Sequence, residues 1–256
     1  MGIYEHLHLD VSDYIATVRL DRPPVNALSM AFYREIERVF LEVSDRMDDI
    51  RVAVLTGTGK YFCAGRDLKI ADNEPQEKRN ASVRAAFAAL YHCAVPVIAA
   101  VNGPALGAGL TAVMDCDIIL ASENATFGLP EINAGLAGGM AGTKRGFNQY
   151  QGRKMYFTGD QFPAHELYRI GVVDSIHSPD QLMPEAMKLA AKLAAKSPLA
   201  LRAAKWNANE VEKILDFEQA YRAVESRVTL GLAQTEDHKE AVRAFAEKRP
   251  PVFKGR

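Results

Sequence analysis

Short apolar runs alternate with helix-like segments through the first 180 residues, and this alternation restricts the chain to few folds. The runs are rich in Val and Ile, which is typical of buried strands. They lie at residues 14–20, 51–55, 96–101 and 117–120. Because the later runs are continuously apolar, we expect a sheet that is covered on both faces, with helices as the crossovers between parallel strands.

Two helices are predicted between these strands. Residues 30–47 place apolar side chains on one face at helical spacing, and Ser29 stands where an N-cap is expected. Residues 83–93 are rich in alanine and also predict a helix. The polar residues 71–82 that precede this second helix predict a mobile loop.

The pattern changes after residue 180, where four helical segments follow one another without a convincing strand. They cover residues 181–196, 199–209, 214–230 and 236–247. No proline-rich or glycine-rich linker separates them from the rest of the chain. We therefore predict a core over residues 1–195 and a C-terminal helical segment over residues 196–256 that serves in subunit packing.

Charge and cysteine usage exclude several classes of protein. The 31 Lys and Arg residues nearly balance the 32 Asp and Glu residues, so the net charge of -1 gives no general attraction to nucleic acid or anionic membranes. Cys63, Cys93 and Cys116 form no CxxC pair, which argues against a disulfide framework and against a cysteine zinc site. Without a secretory leader pattern or a long apolar run, we expect a cytoplasmic protein that binds neither nucleic acid nor membranes.

Three loops rich in small residues follow predicted strands, and such loops are where open α/β folds place ligand sites. They span residues 57–69, 102–109 and 127–143. Each could also be a tight connection without a ligand. The first loop does not match a phosphate-binding P-loop, because Val54 stands where a glycine is needed and Tyr61 where Ser or Thr is needed.

Five segments stand out by their order and spacing along the chain. They are residues 21–28 (DRPPVNAL), 62–69 (FCAGRDLK), 96–109 (PVIAAVNGPALGAG), 116–121 (CDIILA) and 125–132 (ATFGLPEI). Together they resemble the enoyl-CoA hydratase/isomerase, or crotonase, family over nearly the full length of the chain. The tail, residues 245–256 (FAEKRPPVFKGR), is similar to that of the carnitinyl-CoA dehydratase branch.

The resemblance implies an α/β fold, the crotonase-like spiral of ββα units with a C-terminal helical extension, assembled as a homotrimer or a dimer of trimers. It also implies an acyl-CoA thioester as substrate and no cofactor beyond the CoA moiety of that substrate. The backbone N–H groups of Arg66 and Ala108 would then form an oxyanion hole for the thioester oxygen. Losing one such donor typically lowers the rate about 10²–10³-fold.

The CoA-binding residues that the resemblance implies lie beside the first of these amides and in the tail. They are Ala64, Arg66, Asp67, Leu68, Lys69 and Lys248. The Ala64 carbonyl matches the family's adenine contact, and the two lysines would meet the CoA phosphates as compact cations. Both lysines could equally be solvated surface groups. The Arg66 side chain could pair with a phosphate or fold back onto Asp67.

The acid–base residues determine which reaction is expected. Family hydratases use two glutamates, of which the second matches Glu131 and the first matches Thr111. A hydroxyl can position a water but has no useful proton affinity near pH 7, so Thr111 cannot replace a general base. The aspartate that dienoyl-CoA isomerases carry in the third loop is replaced by Gly139.

One carboxylate is enough to move a proton between two carbons of an allyl system, as in the Δ3,Δ2-enoyl-CoA isomerases of the family. We therefore expect enoyl-CoA double-bond isomerisation, or another one-acid proton transfer, with Glu131 as the acid–base group. Hydration or dehydration through Glu131 and an ordered water stays open, as does non-catalytic binding of acyl-CoA. A further alternative is that Glu131 merely caps the helix that follows it.

Overall fold

The structure is a computed structural model that describes residues 4–69 and 74–256. Within these ranges the strands are β1 Leu7–Ser12, β2 Ile15–Leu20, β3 Val52–Gly57, β4 Val97–Val101, β5 Ala105–Leu106, β6 Ile118–Ser122, β7 Thr126–Gly128, β8 Gln161–Pro163 and β9 Ser175–His177. The helices are α1 Met30–Asp45, α2 Gln76–Tyr91, α3 Ala108–Met114, α4 Met140–Thr143, α5 Gln149–Thr158, α6 Ala164–Arg169, α7 Leu182–Ala194, α8 Pro198–Val211, α9 Phe217–Ala220, α10 Ser226–Ala233 and α11 Glu236–Ala246. A 3-10 helix covers Pro130–Ala134, and a π-helical turn covers Tyr221–Glu225.

The strands form a large mixed sheet and a small one. The large sheet has the order β1-β2-β3-β4-β6-β9, in which β1 is antiparallel to β2 and the other neighbours are parallel. The small sheet has the order β5-β7-β8. The predicted strands are therefore confirmed as β2, β3, β4 and β6, and the α/β class with them. Sequence analysis missed β1, although its alternation of apolar and polar residues is visible in the sequence.

Both faces of the parallel sheet are covered, as the apolar runs predicted. Side chains alternate along β3, so that Ala53 and Leu55 face one core cluster while Val52 and Val54 face the other. The first cluster receives the buried face of α1, whose N-terminus is capped by the Ser29 hydroxyl accepting from the Phe32 N–H at 3.2 Å. The second cluster receives Leu182, Ala186 and Ala190 of α7. The carboxyl ends of the strands, and the loops that follow them, are thereby held by a core on each side.

The second helix begins earlier than the sequence predicted. Since α2 starts at Gln76, residues 76–82 of the predicted mobile loop are helical, and residues 70–73 of that loop lie outside the described residues. Pro75 precedes the first turn and Glu77 lies within it, both of which suit a helix N-terminus. The first two turns are polar and largely exposed, and they extend a helix whose later part packs against α1. That packing includes an edge-on contact of Phe87 with Tyr33 at 5.8 Å between ring centroids.

After residue 180 the described chain contains helices and no strand, as predicted. The third predicted helix is divided into α9, the π-helical turn and α10. No helix in the described ranges is both long enough and apolar enough to cross a membrane.

A buried ion pair joins the C-terminal helices to the sheet. Lys205 of α8 is only 6% exposed, and its ammonium lies 2.6 Å from each carboxylate oxygen of Asp117, just before β6. Asp117 also accepts a hydrogen bond from the Val97 N–H at 2.7 Å. Because the lysine has left water almost completely, the pair depends on both of its members.

Replacing Lys205 tests this link. Lys205→Met keeps most of the aliphatic stem but leaves Asp117 without its cation, so we expect a loss of about 2–4 kcal/mol in the free energy of unfolding. Urea denaturation at fixed protein concentration measures it. As the control, Lys188→Met removes an exposed lysine that pairs with Glu185 within one helix, and it should change the same quantity by less than about 0.5 kcal/mol. Equal effects of the two substitutions would contradict the assignment.

Candidate active site

The loop after β3 and the segment after β4 are joined to each other by backbone hydrogen bonds. The Cys63 N–H donates to the Pro104 carbonyl at 3.1 Å, and the Leu106 N–H donates to the Cys63 carbonyl at 2.9 Å. These bonds make a parallel bridge between Cys63 and Ala105. The chain segments on either side of the bridge, which lead to Arg66 and to Ala108, are therefore held at a fixed separation.

A second bridge determines which way the Arg66 amide faces. The Leu28 N–H donates to the Gly65 carbonyl at 2.8 Å, and the Asp67 N–H donates to the Leu28 carbonyl at 3.0 Å. Because the groups on either side of Arg66 point toward Leu28, the Arg66 N–H faces away from it. Among the described residues neither this N–H nor that of Ala108 has a hydrogen-bond acceptor.

Gly65 allows the two amides to come together. Its φ is +91°, and a Cβ placed on it would lie 2.8 Å from the Leu106 carbonyl oxygen and 3.4 Å from the Ala108 nitrogen. No side chain fits there without moving the backbone. The Ala108 amide is also the first N–H of α3, which an α-helix leaves without an internal acceptor.

Glu131 brings its carboxyl group to the same place. It lies in the first turn of the 3-10 helix, and a Cβ on Gly107, whose φ is +55°, would overlap Oε1 of Glu131. Oε2 is buried and has no partner in the described part of the chain. Burial raises the pKa of Glu131 above its ordinary value. The carboxyl also accepts from the N–H of Glu131 itself, in the first turn of the 3-10 helix, so the helix-cap alternative stays open.

Thr111 lies one turn into α3 and is 9% exposed. Its hydroxyl donates to the Gly107 carbonyl at 3.4 Å, one turn back along the helix. A Cβ on Gly139 would lie 3.1 Å from the Thr111 oxygen. The two positions at which the sequence departs from the two-acid members of the family are therefore neighbours in space, and no acid stands at either.

A pocket of about 710 Å³ unites these groups. Its wall includes Ala64, Arg66, Leu68, Ala108, Thr111 and Glu131. Tyr33 and Phe87, which sequence analysis did not single out, also line it. Both are aromatic residues within helical patterns, and such residues are more often core than site, so the sequence carried no signal that could separate them.

The other predicted CoA contacts lie outside this wall. Asp67 forms an ion pair with Arg22 at 2.8 Å; burial opposes its ionisation, but hydrogen bonds from the Lys69 N–H and from Arg22 lower its pKa. Asp67, one of the two partners left open for the Arg66 side chain, is thus already paired with Arg22. Lys69 and Lys248 are exposed and do not line the pocket. Their role in binding CoA stays a prediction.

Asp115 is a buried acid that sequence analysis missed. It lies one turn beyond Thr111 at the C-terminal end of α3 and is 7% exposed, and its carboxyl makes no hydrogen bond or ion pair in the described ranges. Burial raises its pKa to about 7, against the opposing charges of Arg145 and Lys205. Its spacing of four residues from Thr111 was the one signal in the sequence.

With this geometry in place, comparison with known proteins is decisive about the family. The family model described as enoyl-CoA hydratase/isomerase matches residues 10–256. The chain belongs to the enoyl-CoA hydratase/isomerase family. The predicted resemblance is confirmed, and the protein is an acyl-CoA enzyme of the hydratase/isomerase type.

Individual relatives cover almost the whole chain. The chain is 37% identical to a 2,3-dehydroadipyl-CoA hydratase of Escherichia coli, over 94% of this chain and 96% of the relative. It is 36% identical to a carnitinyl-CoA dehydratase of Escherichia coli, over 98% of this chain and 99% of the relative. An enoyl-CoA hydratase from Bacillus anthracis superposes with a TM-score of 0.92 at 29% identity, covering 98% of this chain and 100% of that one. The crotonase fold is thereby confirmed.

A methyl group on Gly107 should disable the site without unfolding the protein. Gly107→Ala forces the Glu131 carboxyl to move, and a displacement of about 1 Å in such a group can cost about 10²-fold in rate. Turnover of an enoyl-CoA ester and the melting temperature are measured together. The matched control is Gly59→Ala, where φ is +72° but no atom lies within 4 Å, so that backbone strain acts alone. If both variants lose activity equally, the contact with Glu131 does not matter.

The pKa of Asp115 predicts a pH-dependent stability. Folding raises this pKa from 3.8 to about 7, so the ionised carboxyl costs stability that accumulates as pH rises from about 4 to about 7. Asp115→Asn removes that cost, and we expect it to stabilise the protein by about 2–4 kcal/mol at pH 8 and hardly at all at pH 4. Urea denaturation across this pH range is the measurement. A stability difference that is the same at every pH would refute the burial argument.

Proposed function

We propose that the protein catalyses double-bond migration in an enoyl-CoA thioester, with Glu131 as its one acid–base group. The observation that carries the proposal is the Glu131 carboxyl, whose buried Oε2 has no partner in the described chain. It lies in one pocket with two N–H groups that have no acceptor there, and no acid stands at position 111 or 139. A thioester oxygen between the Arg66 and Ala108 amides would accept both hydrogen bonds. Those bonds would strengthen as the oxygen becomes enolate-like, which is the condition for catalysis rather than for binding alone.

The proton movements then balance with a single carboxylate. Ionised Glu131 removes a proton from C2 of a 3-enoyl-CoA, and the electron pair of the broken C–H bond delocalises into the thioester and the allyl system. The same carboxyl, now neutral, returns the proton to C4, and the double bond comes to lie between C2 and C3. Burial favours this role, because it raises the pKa of Glu131 and so makes the carboxylate a stronger proton acceptor.

Hydration or dehydration is the second candidate, and the names of the hydratase and dehydratase relatives favour it. Adding water across the double bond requires a proton to leave the water as well as one to reach C2. In this chain the Thr111 hydroxyl could hold that water, but Glu131 would have to serve both proton transfers. The one-acid site therefore supports isomerisation more directly.

We also propose that residues 196–256 pack against other copies of the chain in a homotrimer or a dimer of trimers. Large apolar side chains are exposed along this segment, among them Trp206, Leu215, Phe217, Leu230 and Phe245. Apolar surface on this scale indicates contact with another protein surface. Lys248 would then reach a CoA phosphate across a subunit boundary, and the three free cysteines, all buried, suit the cytoplasm that we propose as its location.

The decisive experiment compares the two reactions on one enzyme preparation. We expect conversion of 3-enoyl-CoA to 2-enoyl-CoA to be faster than hydration of crotonyl-CoA, and Glu131→Gln to lower the first rate by about 10²–10⁴-fold. Thr111→Glu supplies the missing second acid and should raise hydration, whereas Thr111→Val tests the hydroxyl alone and should leave isomerisation nearly unchanged. Spectrophotometry of the enoyl thioester follows both reactions.

The alternatives give different results in the same assay. Hydration by the unmodified enzyme at about 1–10³ per second, abolished by Thr111→Val, would establish the hydratase alternative. Tight binding of acyl-CoA without turnover of either substrate would identify a binding protein. Full isomerase activity in Glu131→Gln would remove the proposal altogether.

A further inference from the structure

A second cavity, of about 520 Å³, adjoins the active-site pocket. The two share the side chains of Phe87, Thr111 and Ala141 and the backbone of Gly142 as a common wall. Thr111 is small, and it stands where two-acid enzymes of the family carry a glutamate. The short Thr111 side chain therefore lies where the two cavities border each other.

Asp115, which is 7% exposed, lines this second cavity. A Cβ on Gly142 would lie 3.3 Å from Oδ1 of Asp115 and 3.5 Å from Cγ2 of Thr111, so the carboxyl group and the shared wall are close neighbours. Side chains on a helix lean toward its N-terminus, which directs Asp115 back toward Thr111. A buried carboxyl without a partner is costly, and a bound group that hydrogen-bonds to it would offset that cost.

The charged residues that line the second cavity indicate which kind of ligand it binds. Its wall contains the cations Arg84, Lys144, Arg145 and Lys213 and only two acids, Asp115 and Glu212. Two of the cations are already paired, since Arg145 lies 3.3 Å from Glu212 and Lys213 binds Glu210. In the described chain Arg84 and Lys144 have no carboxylate partner. A cavity with this balance attracts an anion.

The protonation state of Asp115 also favours an anionic ligand. With a pKa of about 7, a large share of its carboxyl groups is protonated at neutral pH, and a protonated carboxyl is a hydrogen-bond donor. A carboxylate could thus accept from Asp115 and lie near Lys144 and Arg84 at once. A methyl group could not accept a hydrogen bond from Asp115, and a cation would be repelled by Lys144 and Arg84.

We propose that the enzyme binds acyl-CoA thioesters whose acyl chain ends in a second carboxylate, held in this cavity by Asp115, Lys144 and Arg84. The inference rests on the proposed function only in taking the pocket of Arg66, Ala108 and Glu131 as the thioester site. Seven residues of helix separate Ala108 from Asp115, which is about 10 Å. An extended chain advances about 1.2 Å per bond, so an acyl group of about eight carbons spans the distance.

The test uses three saturated CoA esters of equal chain length, which no double-bond chemistry can consume. They are octanoyl-CoA, 8-hydroxyoctanoyl-CoA and the monothioester of octanedioic acid, and isothermal titration calorimetry on the intact protein measures their dissociation constants. We expect the octanedioic ester to bind about 10-fold or more tightly than octanoyl-CoA, the range that one well-made charged hydrogen bond supplies. In Asp115→Leu and in Lys144→Met this preference should fall to about 2-fold or less, while the affinity for octanoyl-CoA changes little.

Controls keep the outcomes distinct. Asp115→Asn retains a hydrogen-bond donor and should keep most of the preference, and Lys188→Gln, an exposed lysine outside both cavities, should keep all of it. Circular dichroism shows whether each variant is folded. Equal binding of the three esters, strongest binding of the hydroxy ester, or a preference that survives Asp115→Leu overturns the inference and leaves the proposed function standing. If no ester binds, the thioester site itself is wrong, and the inference falls with it.

Discussion

The hydrogen bonds that the backbone makes with itself around Cys63, Gly65 and Leu28 are the constraint on which the rest of the site depends. They occupy the polar groups on both sides of Arg66, a residue that lines the pocket, and leave its own N–H facing away from Leu28. The loop of Cys63 is also hydrogen-bonded to the loop that leads into α3, and this holds the Ala108 amide at a fixed distance from the Arg66 segment. Two donors without acceptors in the described chain are thus presented by hydrogen-bonded backbone, which is what the proposed oxyanion hole requires.

The position of the Glu131 carboxyl depends on the missing side chain of a glycine. Gly107 has no Cβ to keep it away from the main chain, and the resulting burial, rather than a neighbouring charge, raises its pKa. An acid shifted in this way is held by packing and not by an ion pair, so its proton affinity depends on how completely water is excluded from the pocket. The fold supports that exclusion with α1 and α2, whose Tyr33 and Phe87 form part of the wall.

Local patterns in the sequence predicted much of the architecture, and their failures have physical causes. Ser29, the apolar runs of β3 and β4 and the helical tail all depend on near neighbours in sequence, and each was found as predicted. The predicted start of α2 was wrong because its first two turns are polar and largely exposed, and only the later part of the helix packs on α1. The pairing of Lys205 with Asp117, 88 residues away, and that of Asp67 with Arg22 depend on the folded chain. The family motifs located Glu131, Thr111 and the two amides, whereas the burial of Asp115 had no local signal beyond its spacing from Thr111.

Thr111 lines both cavities, so this one position affects both the reaction that the site supports and the acyl chains that it accepts. If acyl chains extend into the second cavity as proposed, a glutamate there would introduce a new proton-transfer group and, with the same atoms, fill space between the two cavities. An evolving lineage could therefore not exchange one reaction for the other at this position without also narrowing the set of acyl chains it accepts. A single substitution at position 111 would change both the type of reaction and the selectivity for the acyl chain.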